Sequence, residues 1–446
     1  MMAHSAMESY FGDVAALLDR SLAGTEVYTL RLDAERSDFV RLNRAQVRQP
    51  GTVTQIYLRL HLIDGRRHAE ASLTVSGDFA RDRDAVLAAL VHLRGNLASL
   101  AEDPHLAYAT DVRSSRAVRS GALPPAEEIV EVLLDAATGL DLVGLYAGGP
   151  VYRGFANSLG QRNWHEVASF NLQWSLYHRA DKAVKCVYGG FDWDASALRA
   201  RMADARGRLA LLARPAKSLE PGRYRAYLSP SAMEEIAGML CWGGFSGRAL
   251  QTRQSCLFRL NEGAAELDSS IGFSEKTAEG IAPAFQDEGF TRPPEVPLVA
   301  GGRMVGSLVS PRTAREFALA QNGANASETP ESLEMRGGEL RVDDALGLLD
   351  RGLYIGNLWY LNFSDRPACR LTGMTRFASF WVEGGKIVAP VDVMRFDDSV
   401  FRLLGRELIG LTAERELLVS SDTYRQRSVA SMTLPGAVVR EMAFTL

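Results

Sequence analysis

Apolar side chains alternate with polar ones through Tyr28, Leu30 and Leu32, and again through Ile56, Leu58, Leu60 and Leu62 up to the pair Asp64-Gly65. A period of two buries one side of an extended segment and leaves the other in water, and Asp-Gly suits a tight hairpin turn, so Tyr28 to Val75 predicts an antiparallel meander. Helical spacing flanks it. Phe11, Val14, Leu17 and Leu18 share one side of a short helix within Met7–Leu22 that ends at Gly24, and Val86, Leu90, Leu93, Leu97 and Leu100 recur at steps of four and three. A further helix follows Pro124-Pro125 through Ile129, Val132 and Leu133. Asp141–Ala147, Glu166–Ser175 and Lys182–Tyr188 read as strands, and Ser196–Ala213 as a closing helix. The expected class is α+β, an antiparallel sheet with covering helices.

Arg214–Gly222, with Pro215, Pro221 and Gly222, is the best boundary in the chain. It divides an N-terminal α+β domain, 1–213, from a C-terminal domain, 223–446, across a linker, 214–222. Beyond it short apolar runs alternate with turns, as in Ser255–Leu260, Leu353–Leu361, Phe377–Val382 and Ser428–Leu434, which predicts a mostly antiparallel, curved sheet with few helices. Gln321–Gly338 is polar and of low complexity and is expected to be a mobile surface loop.

With 446 residues and a formal net charge of −4, the chain can bury large cores and has no basic balance that would draw it to nucleic acid. No apolar run is long enough to cross a bilayer and no charged-then-apolar leader stands at Met1–Tyr10, so a cytoplasmic location without membrane attachment is expected. Cys186, Cys241, Cys256 and Cys369 lack Cys-x-x-Cys spacing and are expected to be buried, unreactive thiols.

The chemistry is constrained by where the imidazoles are. All seven histidines precede Arg179, so a Ser or Cys nucleophile in the C-terminal half would need a base from the other domain. There is no Gly-x-Ser-x-Gly elbow, and Ala147-Gly148-Gly149-Pro150 lacks the Lys-Ser/Thr of a phosphate loop. His165-Glu166 falls in a segment whose alternation through Phe170, Leu172, Trp174 and Leu176 argues strand, so a structural or surface role is expected. His61 and His68 flank the Asp64-Gly65 turn and should face solvent or one another; His92 should lie on a helix surface.

A helix should start within Ser229-Pro230-Ser231 and stop near Gly243-Gly244, Pro suiting the first turn and Ser231 with Glu234 having the form of a capping box. A zinc peptidase helix of the His-Glu-x-x-x-His type presents two imidazoles with a Glu beside them as general base. Glu234-Glu235-Ile236-Ala237-Gly238-Met239 keeps that frame and loses both ligands. The two adjacent carboxylates point in different directions and Met239 is a poor ligand for hard or borderline ions, so Glu234 reads as a cap and Glu235 as a relic or solvent-facing group. Asp287-Glu288-Gly289 reads as a structural turn.

Several stretches together resemble the TldD/PmbA (TldD/TldE) family of metallopeptidase-related proteins. They are Val151–Ser158, Phe285-Gln286-Asp287-Glu288-Gly289, Gly352-Leu353-Tyr354-Ile355, Leu371-Thr372-Gly373-Met374-Thr375 and Phe380–Pro390. The resemblance implies that Glu234 and Met239 stand where a TldD-type subunit has its zinc-binding His, that Glu235 matches the catalytic Glu, and that a late zinc-binding Cys falls in Ser420-Ser421-Asp422. It is therefore to the TldE/PmbA-type subunit, which lacks the zinc motif. What it implies is a non-catalytic subunit of a zinc metallopeptidase complex acting on unfolded proteins or peptides, in some systems during peptide maturation. Zinc would be held by a TldD-type partner and none by this chain, as a heterodimer or with a homodimer as the alternative. Two other readings stay open: a stand-alone divergent peptidase or amidase using Glu235, Asp287 and Glu288, and a homodimeric peptide-binding protein without catalysis.

Overall fold

The computed structural model of the chain describes residues 5–179 and 182–445; the start of the Met1–Tyr10 segment, residues 1–4, lies outside them. The first alternating segment forms three antiparallel strands, Val27–Asn43, Gln46–Asp64 and Arg67–Thr74, with the first pair running from Val27 opposite Ile63 to Asn43 opposite Gln46 and its register shifting between Arg41 and Leu42. Val27–Asn43 pairs in turn with Asp141–Asn157, and that strand with Arg162–Arg179. Lys182–Gly190 and the parallel strand Ser115–Arg119 both pair with Arg162–Arg179 and complete a seven-stranded sheet.

Helices Ala6–Asp19 and Phe79–Leu97 cover one face of this sheet, where Leu18, Leu30, Leu60 and Leu90 meet in one apolar cluster. Their N-termini are capped by Ser5 and Asp78, whose side chains accept from Glu8 N and Ala80 N. Helices Ala126–Ala136 and Ala195–Leu212 pack into a second cluster that runs on into the other half of the chain. There Leu198, Met202, Phe170 and Trp174 share a core with Tyr354, Phe380, Val382 and Val438.

From Gly222 to Phe444 the chain builds an eleven-stranded, mostly antiparallel sheet. Two strands matter most for the site. Gly352–Asp365 lies between Arg370–Glu383 and the parallel Gly222–Leu228, and Ser431–Phe444 pairs with Leu408–Val419 and Gly222–Leu228. Helix Pro230–Cys241 lies across both.

Two expectations fail. Gln321–Gly338 is no free loop: Ser332–Met335 is a buried strand between Phe273–Glu275 and Ser431–Phe444, and Glu328 is turned inward to accept from Ser246 Oγ, Arg248 N and Ser310 N. Its low complexity hid a strand and a buried carboxylate that are both held by distant segments. Ser255–Leu260 is a turn into the short helix Phe258–Asn261, because Ser255 Oγ donates to Gly244 O and accepts from Leu257 N, bending the run where a strand would have to extend. No helix among the described residues is long and apolar enough to cross a membrane.

Candidate functional site

Helix Pro230–Cys241 begins two residues earlier than its capping-box pattern implies. Ser229, not Ser231, is the cap: its Oγ accepts from Ala232 N at 3.3 Å and donates to Gly356 O at 2.6 Å, tying the helix start to strand Gly352–Asp365. Glu234 consequently falls past the positions a capping side chain occupies, and no cap hydrogen bond involves it. Met233, Ile236, Ala237 and Leu240 face the core. Glu234 and Glu235 are both half-buried.

Burial raises the Glu234 carboxyl to about 7, the neighbouring Glu235 adds to the rise, and Lys185 opposes it. Glu235 is raised by burial as well, again against Lys185. Lys185 comes from the edge strand Lys182–Gly190 of the N-terminal sheet. A lysine that interrupts the run Ala183-Val184-Lys185-Cys186-Val187 was the available signal, and reading that run simply as strand misses it.

These residues do not fit a zinc ion. Met239 is turned into the core, where it is 8% exposed, and its thioether is a poor ligand for a borderline ion. The carboxylates are offset from one another, and the positive charge of Lys185, which acts on both, would oppose a divalent ion. Among the described residues no three His, Cys, Asp or Glu side chains gather as a ligand set. Ser420-Ser421-Asp422 follows strand Leu408–Val419, and there Ser420 Oγ accepts from Asp422 N.

The N-terminal end of the helix opens into a cleft of about 380 Å³ between the two sheets. Lys185 and Gly189 line one side, Ser229, Glu416 and Leu417 the other, and Arg208 with Tyr354 closes the back. The charges are largely paired: Arg201 with Glu416, Arg208 with Asp204, and Arg208 with the Tyr354 hydroxyl. Cys186, also in the wall, has its thiol pushed up to about 12 by burial, which makes it a poor nucleophile. It is only half-buried, unlike Cys241, Cys256 and Cys369.

Asp287 and Glu288 lie elsewhere, in a turn seated on the N-terminal sheet. Asp287 pairs with Arg31 and, at 3.8 Å, Arg59, while Glu288 O accepts from Ala109 N. Gly289 has φ 86°, and a Cβ there would sit 2.3 Å from the Phe155 ring, so the turn needs glycine. None of the interactions that set Glu234 or Glu235 involves Asp287 or Glu288. The junction beside this turn is dense in buried polar groups. Arg427 is 4% exposed and donates to Gly149 O at 2.9 Å and to Ser169 O and Oγ at 2.7 Å. Arg153 pairs with Asp33 at 3.0 Å and reaches Arg427 O at 3.4 Å. His165 is in strand Arg162–Arg179, its Nε2 2.9 Å from Ile281 O, and burial lowers it to about 4, so it is neutral and structural. His61 and His68 face one another, Nε2 to Nδ1 2.8 Å, and His92 is on an exposed helix face.

Residues 221–446 match the profile of the PmbA/TldA metallopeptidase C-terminal domain. None of the curated proteins matches the chain in sequence. Among solved structures the fold is similar to that of TldE from Thermococcus kodakarensis, with a TM-score of 0.77 at 14% identity over 99% of this chain and 100% of that one. A Thermotoga maritima protein described as a candidate modulator of DNA gyrase is similar at a TM-score of 0.76, 14% identity, and 98% and 100% coverage. A Bacteroides thetaiotaomicron protein with the same kind of description gives 0.75, 14%, and 100% of both chains. The profile spans the helix, the cleft's C-terminal wall and the whole larger sheet, and by it this chain belongs to the PmbA/TldD family of metallopeptidase-related proteins.

Proposed function

We propose that the chain is the TldE/PmbA-type, non-catalytic subunit of a zinc metallopeptidase complex, working with a TldD-type partner on peptides or unfolded proteins. The observation that carries this reading is the helix Pro230–Cys241, where Glu234, Glu235 and the buried Met239 occupy the motif positions and Lys185 opposes the charge of the two acids. In this reading zinc and the general base reside in the partner, and this chain contributes walls and strand edges. Among the described residues Lys182–Gly190 and Leu408–Val419 each have one ladder partner in their sheets, the second strand being also bridged by Leu340 at Thr412, and both flank the cleft; an extended peptide can add where such an edge is open. The division at 214–222 belongs to the same proposal, with the N-terminal domain carrying one edge and the C-terminal domain the other. A cytoplasmic location fits it.

The test is reconstitution. The isolated chain should bind no stoichiometric zinc by elemental analysis and cleave no peptide above background, and adding a TldD-type protein from the same source should give chelator-sensitive cleavage. In that complex Glu235→Gln should leave the rate within about twofold, whereas loss of a true general base costs on the order of a hundredfold or more. A large loss with assembly intact would place the chemistry here and favour the stand-alone carboxylate peptidase. Assembly with itself alone and no activity with any partner would favour the homodimeric peptide-binding protein.

A further inference from the structure

Away from the cleft, the far end of the same helix borders a second concavity of about 650 Å³, within the usual range of small-molecule sites. Three arginines line it, Arg253, Arg259 and Arg366, and no Asp or Glu does. In a chain with a net charge of −4 that is a local inversion of sign. Among the described residues no carboxylate pairs with any of the three. Of the acids next to lining residues, Glu328 is turned into the core and Asp365 Oδ1 accepts from Ala368 N, while Glu262, three residues beyond Arg259, is exposed and outside the lining.

The remaining surface is equally specific. Trp242, 64% exposed, forms one wall, and Ser327 and Thr329 stand at the rim. Arg366 is fixed by donating to Gln254 O and Trp242 O and lies 4.8 Å over the Phe363 ring; Arg253 lies 5.4 Å over Phe258. Guanidinium groups held against rings lose less freedom when they bind a ligand. Arg253, Glu328 and Cys369, on three of the bordering segments, all take left-handed backbone, at φ 58°, 53° and 45°. Such conformations cost energy in non-glycine residues and persist where the surroundings dictate loop shape.

We propose that this pocket binds a phosphate ester bearing a planar ring, with the phosphate held by Arg253, Arg259 and Arg366 and the ring against Trp242. Guanidinium forks suit phosphate oxygens, and an exposed indole suits a flat group. The site lies apart from the cleft, so it does not depend on the subunit reading.

The full chain is titrated with adenosine 5′-monophosphate, pyrophosphate, adenosine and a hexaglutamate peptide by calorimetry and tryptophan fluorescence. The expected order is the monophosphate first, pyrophosphate weaker, and adenosine without measurable binding, with the affinity falling as salt rises. Arg253→Ala with Arg259→Ala, both exposed positions, should weaken the monophosphate by about tenfold or more, with the melting temperature unchanged. Trp242→Leu should abolish its advantage over pyrophosphate. Arg366 is left in place because it ties two backbone carbonyls. Binding of adenosine as tight as the monophosphate, tighter binding of hexaglutamate, no binding by either phosphate, or an unchanged affinity in the double variant would each overturn the proposal.

Discussion

Two regions of this molecule bury charge, and they do so in opposite ways. At the junction around Arg427 and Arg153 each cation is surrounded by acceptors: Asp33, Ala34 O, Tyr152 O, Gly149 O and Ser169. On helix Pro230–Cys241 two like charges sit side by side, half out of water, with one lysine to moderate them. A satisfied buried charge fixes geometry and is expensive only to disturb, whereas an under-compensated pair weakens the fold as it stands. The contrast distinguishes a region that holds the two sheets together from one whose residues are not optimised for stability.

The largest effect should come from breaking the satisfied region. Arg427→Met leaves Gly149 O and Ser169 O without their donor, and each buried acceptor left unsatisfied costs about 1–3 kcal/mol. Urea unfolding should show that drop; a change under 1 kcal/mol would mean water replaces the guanidinium and the junction is not dry. Next comes Lys185→Met. It removes the cation from the acid pair and should destabilise by about 1–2 kcal/mol at pH 8, an effect that vanishes in combination with Glu234→Gln. If the two losses simply add, Lys185 is not what restrains the acids.

Glu234→Gln alone should move stability the other way. The folded carboxyl is raised from 4.5 to about 7, so its contribution is fully present below pH 4.5 and is lost as pH rises through 7. At pH 8 the variant should melt higher than the parent by about 2 °C, with the difference shrinking toward pH 5. The buried His165 works in the reverse sense, lowered from 6.5 to about 4, so stability it supports above pH 6.5 is lost as pH falls toward 4. Comparing the variant with the parent at each pH removes that background. A melting point lowered at pH 8 would show the ionised pair to be stabilising.

Much of the fold was legible because local pattern and tertiary environment agreed. The Leu58-Leu60-Leu62 alternation and the Leu90-Leu93-Leu97 spacing describe the same core from its two sides. Legibility failed where a backbone conformation lacked its usual residue. The first hairpin turns on Arg44 and Ala45, at φ 53° and 51°, without the Asn or Gly that normally marks such a turn. It failed again at Ser332–Met335, whose strand character comes from being sandwiched between distant segments. At the site, Glu234, Glu235 and Met239 could be found from sequence because they are adjacent on one helix. Lys185 left only a charge inside an apolar run as its signal and Arg427 left none, because their partners lie on other elements far along the chain, and spacing records only neighbours on the same element.

The apolar cluster in which Leu198 and Met202 meet Tyr354 and Phe380 has a bearing on the cleft beside it. Walls rooted in one continuous interior cannot swing like jaws without tearing that interior open, so the gap works as a fixed caliper rather than a clamp. In the proposed complex whatever enters must fit that gauge, and the adjustment falls on the guest, which favours a slim, extended strand.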